Sequence, residues 1–167
     1  MLIYQLFIKI NTNLLDIGAY PGGWSQVSSK IIHSGKILSL DLMNMEKIRN
    51  VSFMQCDFFH EQTKEKVLKF FGRNLDVIVS DMAADTTGNK ALDCIRTNQL
   101  CVEVIIFSIK ILKKDGVLVT KLFMGEDFLE VKELAKSSFK KVHFFKPEAS
   151  RNESKETYLH CSELKTL

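Results

Sequence analysis

The chain has few prolines and few cysteines, no long apolar run and little excess charge. Only two of its 167 residues are proline, and both stand between apolar segments, so no proline-rich linker divides the chain. Its four cysteines, Cys56, Cys94, Cys101 and Cys161, lie far apart without C-x-x-C spacing. That excludes a zinc ribbon or a dithiol redox pair and leaves reduced core thiols. The apolar stretch from Leu2 to Ile10 is broken by Gln5 and Lys9 and is shorter than the ~20 residues that cross a bilayer. A basic start with a small-residue cleavage site is also missing, so the expectation is a cytoplasmic protein, or alternatively one of the mitochondrial matrix, with no membrane partner. Basic residues number 23 against 20 acidic, a net charge of +3. This permits a nucleic-acid partner without arguing for one. No internal repeat is visible, which removes solenoids and propellers.

What remains is an ordinary globular composition, 46% hydrophobic and 26% charged. The length suits one domain over residues 1–167. Apolar runs ending in an acid alternate with amphipathic stretches. Strands are expected at 13–18, 36–41, 51–57, 76–81 and 117–123, and helices at 24–33, 61–71, 91–112 and 126–137. Lys113-Lys114-Asp115-Gly116 carries the cations and glycine that helix C-termini favour. The final segments, 141–145 and 156–161, have no helix between them and should pair as an antiparallel hairpin at one edge. Strands too apolar to face water, alternating with helices, imply an α/β fold. The expected form is a doubly wound, mostly parallel Rossmann-like sheet with helices on both faces.

In such a sheet ligands bind at the carboxyl ends of the strands, where Asp16, Asp41, Asp57, Asp81 and Lys121 fall. Acids at strand ends also cap helices, so each alone says little. The loop Gly18-Ala19-Tyr20-Pro21-Gly22-Gly23 lets a ligand approach the backbone, but it is not the G-x-G-x-x-G of a pyrophosphate cradle. A nucleoside with a short tail fits instead. Asp41 is placed to accept hydrogen bonds from ribose hydroxyls and Asp57 to take the exocyclic amine of adenine, which points to S-adenosylmethionine as cofactor. Lys121 lies in the apolar strand Val-Leu-Val-Thr-Lys-Leu-Phe, a costly place for an amine unless that end opens on a cleft.

Four segments resemble, in order, the motifs of the FtsJ (RrmJ) ribose 2′-O-methyltransferases. They are Asp16-Ile17-Gly18-Ala19-Tyr20-Pro21-Gly22-Gly23-Trp24-Ser25-Gln26, then Ser80-Asp81-Met82-Ala83, then Val119-Thr120-Lys121-Leu122-Phe123. The last is Ser150-Arg151 with Ser154-Lys155-Glu156-Thr157-Tyr158. The resemblance implies the class I methyltransferase form of the sheet and S-adenosylmethionine contacts at Gly22, Trp24, Asp41, Asp57 and Asp81. It also implies a Lys-Asp-Lys-Glu catalytic set that contributes Asp81, Lys121 and Glu156. The substrate it implies is a ribose, a uridine's, in large-subunit ribosomal RNA, methylated by a monomer. A 2′-hydroxyl is a poor nucleophile, so the chemistry needs its proton removed and oxygen, carbon and sulfur aligned. Lys121 can serve as the base only as a neutral amine, whereas neighbouring carboxylates favour the cation. Base and orienting cation both remain open at this point.

The family's first catalytic lysine lies in a basic segment ahead of strand one. Here Lys9 stands only seven residues before Asp16, so that role is not carried over. Either the chain is truncated or it works without that lysine. A donor-fold module that binds RNA or the ribosome without catalysis is therefore the rival reading. Methylation of transfer RNA or of a messenger cap is a further alternative. A nicotinamide-dependent oxidoreductase is disfavoured by the tyrosine and proline in the glycine loop. RNA contacts are expected at Lys36, Lys47, Arg49, Lys90, Arg96 and Lys146, and above all at Arg151 and Lys155 beside Glu156; phosphate contacts of this kind give salt-dependent affinity.

Overall fold

A computed structural model describes residues 7–72, 75–125, 127–146 and 156–165. In chain order the elements are β1 (Leu14–Ile17), α1 (Gly23–Ile31), β2 (Ile37–Asp41), β3 (Val51–Gln55), α2 (Glu61–Phe71) and β4 (Leu75–Ser80). They continue with α3 (Lys90–Ile111), β5 (Leu112–Phe123), α4 (Phe128–Ser138), β6 (Phe139–Phe145) and β7 (Glu156–Leu164). Among the described residues seven strands form one sheet in the order β3-β2-β1-β4-β5-β7-β6. β1 to β5 are parallel, and the chain reverses its winding direction between β1 and β4, which opens a crevice above their carboxyl ends. The last two strands pair antiparallel as expected. Within that hairpin β7 lies against β5 and runs opposite to it, and β6 is outermost.

Side chains alternate between the two faces of each strand, and the two faces bury different sets. Leu15, Ile17, Leu38, Leu40, Ile78, Leu118 and Leu122 pack against Val67 and Phe71 of α2, Val104 and Ile105 of α3, and Val131 and Ala135 of α4. Leu14, Ile37, Val77, Val79, Val119 and Tyr158 pack against Ile8, Ile32 and the α1 residues Trp24 and Ile31. From Val77 in β4 and Val117 in β5 onward the odd-numbered positions therefore point to the α1 side, and continuing that parity places Asp81 and Lys121 on that side. α3 starts at an Asn89 side chain that accepts from the amides of Ala91 and Leu92.

One boundary differs from expectation. Lys113 to Gly116 lie in β5, not at the end of α3. Leu112 pairs with Leu75, the register shifts before Val77 meets Val117, and Lys113 Nζ reaches Asp76 Oδ1 at 2.6 Å. A Cβ on Gly116 would stand 2.9 Å from the Lys113 carbonyl oxygen. This glycine thus accommodates a bulged strand instead of a helix cap. Among the described residues no helix is long and apolar enough to cross a membrane.

Candidate active site

The loop after β1 is held by its own backbone and by one carboxylate. The amides of Gly18 and Ala19 both donate to the Leu40 carbonyl, at 2.9 and 3.0 Å, and Gly22 N donates to Ala19 O. Gly18 has φ +74°, and a Cβ there would meet Met82 Cγ at 2.7 Å, with the Met82 backbone close behind. Gly22 has φ +108°, and its Cβ would meet Ile48 Cδ1 at 2.9 Å. Gly18 needs glycine for conformation and for space, and Gly22 for its conformation. Asp41, at the end of β2, accepts from Tyr20 N at 2.9 Å through Oδ2 and from Met43 N at 2.8 Å through Oδ1. It ties the loop to β2, and with about four acceptor sites on a carboxylate it keeps capacity for a ligand hydroxyl. Asp57, beyond β3, accepts from Phe59 N at 2.8 Å, so part of its work is to shape the turn into α2.

At the neighbouring strand ends a cation meets an anion. Lys121 Nζ lies 2.9 Å from Asp81 Oδ1, with the lysine side chain 12% exposed and the aspartate 34%. The same Nζ approaches the Asp81 carbonyl oxygen at 3.3 Å. Tyr158 Oη donates to Asp81 Oδ1 at 2.5 Å. Lys121 is opposite Tyr158 in the β5–β7 ladder, and Phe123 is opposite Glu156. Glu156 therefore belongs to the same face, two residues nearer the sheet's rim. Beneath this group lies Asp16, 1% exposed, accepting from Ser25 Oγ at 2.5 Å; that hydroxyl in turn bonds Ser39 Oγ at 2.6 Å. Burial, with the Asp81 and Asp41 charges adding, pushes the Asp16 carboxyl up to about 7 against the lowering hydrogen bond from Ser25.

Of these groups Asp41, Asp57, Asp81 and Lys121 line a cleft of about 1400 Å³, and Asp16 and Tyr158 stand behind its wall. Leu42, Met43, Phe58 and Phe59 give it apolar sides near Asp57, suited to a flat base, and its carboxylates, Asp41, Asp57 and Asp81 among them, suit a ligand that carries positive charge. The donor set thus fits an adenosyl sulfonium with an amino-acid tail. Gly22 is not part of the lining. Trp24 also stands off it; its ring lies 5.8 Å from that of Tyr158, on the α1 side. Arg151 and Lys155 are outside the described residues. Two contributors escaped the sequence reading. Tyr158 alternates with Glu156 along β7, a period-two signal visible in the sequence. Asn98, 1% exposed on α3, bonds Phe123 at both its backbone N and O and also Asp127, which fixes the end of β5; nothing in the sequence marks it. Two of the thiols are held in the unreactive protonated form: burial pushes Cys101 up to about 12 and raises Cys161 as well.

A parallel sheet with a carboxylate-lined nucleoside cleft at its switch point and a lysine–aspartate pair on the rim defines a class I S-adenosylmethionine-dependent methyltransferase. Comparison with known proteins agrees. The model of the FtsJ-like methyltransferases matches residues 3–164, and the chain belongs to that family, whose methyl donor is S-adenosylmethionine. It is 43% identical, over 97% of its length and 79% of the relative's, to the ribosomal RNA large subunit methyltransferase E of Pelagibacter ubique. Among solved structures it resembles a Plasmodium falciparum protein assigned as a ribosomal RNA methyltransferase, with TM-score 0.84 and 29% identity over 97% of this chain and 91% of that one. A Streptococcus mutans methyltransferase crystallised with S-adenosylhomocysteine shares the fold at TM-score 0.64 and 14% identity, over 95% of this chain and 90% of that one.

Proposed function

We propose that this protein transfers a methyl group from S-adenosylmethionine to the 2′-hydroxyl of a ribose, that of a uridine, in large-subunit ribosomal RNA. The observation that carries the reading is the Lys121–Asp81 pair, 2.9 Å apart at the edge of the nucleoside cleft. The name of the Pelagibacter relative supports the choice of RNA. In this reading Asp41 receives the ribose hydroxyls of the donor and Asp57 its adenine amine, with Gly22 and Trp24 shaping the loop around it. When bound, the donor supplies an electrophilic methyl carbon and leaves as a neutral thioether. Lys121 faces the attacking 2′-oxygen; as a neutral amine it takes the proton, and as an ammonium it holds the oxygen in line. Asp81 fixes that amine in either form, and Glu156, on the same face, completes the set. The chain works as a single catalytic domain and as a monomer, in the cytoplasm.

The test uses labelled S-adenosylmethionine and large ribosomal subunits lacking the modification, with calorimetry of donor binding alongside. Donor-dependent incorporation at one ribose is expected, and Lys121→Ala should lower kcat by roughly 10²–10⁴ while donor affinity holds. Full donor binding without any transfer by the unaltered chain would instead mark a noncatalytic RNA-binding module.

A further inference from the structure

We infer that Tyr158 is a positioning residue for methyl transfer: clamped between Trp24 and Phe145, it delivers its hydroxyl to Asp81 and so sets how Asp81 holds Lys121. The inference rests on the function proposed above and deepens it. Three observations converge. The Tyr158 ring is 7% exposed, stacks on Phe145 at 5.7 Å and 18°, and meets Trp24 at 5.8 Å and 31°, so an aromatic on each side restricts where its hydroxyl can point. That hydroxyl and the Lys121 ammonium converge on one oxygen, Asp81 Oδ1, at 2.5 and 2.9 Å. Tyr158 and Lys121 are direct partners in the β5–β7 ladder, so the tyrosine is built into the strand that carries the lysine's neighbour.

The chemistry follows from competition for that oxygen. A hydroxyl donating to Oδ1 takes up part of the carboxylate's charge and weakens its hold on the ammonium. The titratable groups around Lys121 are Asp81 from the end of β4 and, on the Tyr158 face of β7, Glu156, with Asp16 of β1 behind Asp81; Tyr158 is the donor that moderates the nearest of them. Without its hydroxyl, Asp81 turns wholly to Lys121, and the lysine gives up its proton less easily. Trp24 then acts on catalysis through Tyr158 and not by touching the methyl donor.

The experiment is Tyr158→Phe, with Trp24→Phe and Trp24→Ala beside it. For Tyr158→Phe we expect kcat to fall about tenfold with donor affinity by calorimetry unchanged, and the acid limb of the kcat/KM profile to move to higher pH by about one unit. Trp24→Ala should move the same limb, and Trp24→Phe, which keeps an aromatic wall, should move it less than Trp24→Ala does. A Tyr158→Phe enzyme with unaltered kcat and pH profile overturns the inference and leaves the proposed function standing. A second measurement needs no turnover. The chain has three tyrosines, so with ¹³Cζ-labelled tyrosine the Tyr158 resonance is assigned by its absence in Tyr158→Phe. It should shift in Asp81→Asn and in Trp24→Ala while that of Tyr20 stays still. Failure to shift in Asp81→Asn overturns the inference even in a chain that transfers no methyl group. Loss of donor affinity in Trp24→Phe overturns the part assigned to Trp24.

Discussion

At the residue scale the strongest constraint falls on Asp16. Its Oδ2 takes the Ser25 hydroxyl, but its Oδ1 is buried with no hydrogen-bond partner among the described residues. A carboxylate left this way is costly, so the side chain keeps its proton when the chain folds. The sign follows directly: the unfolded chain releases that proton near 3.8 and the folded chain only near 7, so folding is favoured below 3.8 and progressively penalised as pH rises to about 7. Carried to pH 8 the penalty approaches about 4 kcal/mol, of which about 2–3 kcal/mol develops above pH 5. Asp16→Asn is isosteric, cannot ionise and still accepts from Ser25. Urea unfolding at pH 5 and pH 8 should show the variant gaining about 2–3 kcal/mol on the parent across that interval. An equal response of both proteins to pH would mean that Asp16 is ionised in the fold. The sequence shows an acid at the end of a strand, but not which of its oxygens lacks a partner, because Ser25 reaches it, and Ser39 reaches Ser25, only after α1 and β2 have packed.

At the scale of elements the turn between α1 and β2 is the tightest junction. His33 N and Ser34 N both donate to the Ile10 carbonyl, and a Cβ on Gly35 would stand 1.9 Å from the Thr12 carbonyl oxygen. That oxygen belongs to backbone leading straight into β1, so it cannot swing aside as a side chain would. Gly35→Ala should therefore cost about 3–5 kcal/mol in chemical denaturation, among the large effects of single substitutions. A cost below about 1 kcal/mol would show that the 7–13 segment is not held against this turn. The helix expected at 24–33 does end ahead of this glycine, at Ile31. Elements whose apolar period was long and regular, such as α3, were legible almost to the residue. The start of β5 was not, since Lys-Lys-Asp-Gly carries the local chemistry of a helix end while the pairing of Leu112 with Leu75 is a long-range contact that local chemistry cannot report.

At the scale of the molecule the site is a consequence of strand order and parity. Asp41 and Asp57 end β2 and β3, whereas Asp81 and Lys121 are brought together across the neighbouring pair β4 and β5 and reach the α1 side because each continues an odd-numbered face. The motifs identified most of these residues. Their division into a donor wall and a lysine–aspartate–tyrosine cluster required the fold, because that division depends on which strands adjoin. It also makes the two halves separable by experiment. Donor binding should stabilise the fold by linkage, by about 2.7 kcal/mol at a free concentration near 100 times Kd. For a chain of this size that raises Tm by roughly 5–10 °C. On the proposed function Lys121→Ala should keep the full rise, since there the amine serves the acceptor's oxygen. Asp57→Asn, which preserves the acceptor for Phe59 N but sets an amide donor against the adenine amine, should lose most of it at the same donor concentration. If the Asp57→Asn protein were stabilised as strongly as its parent, the base would have to lie elsewhere than at the end of β3. If Lys121→Ala abolished the rise, the lysine would belong to the donor wall and the division drawn here would be wrong.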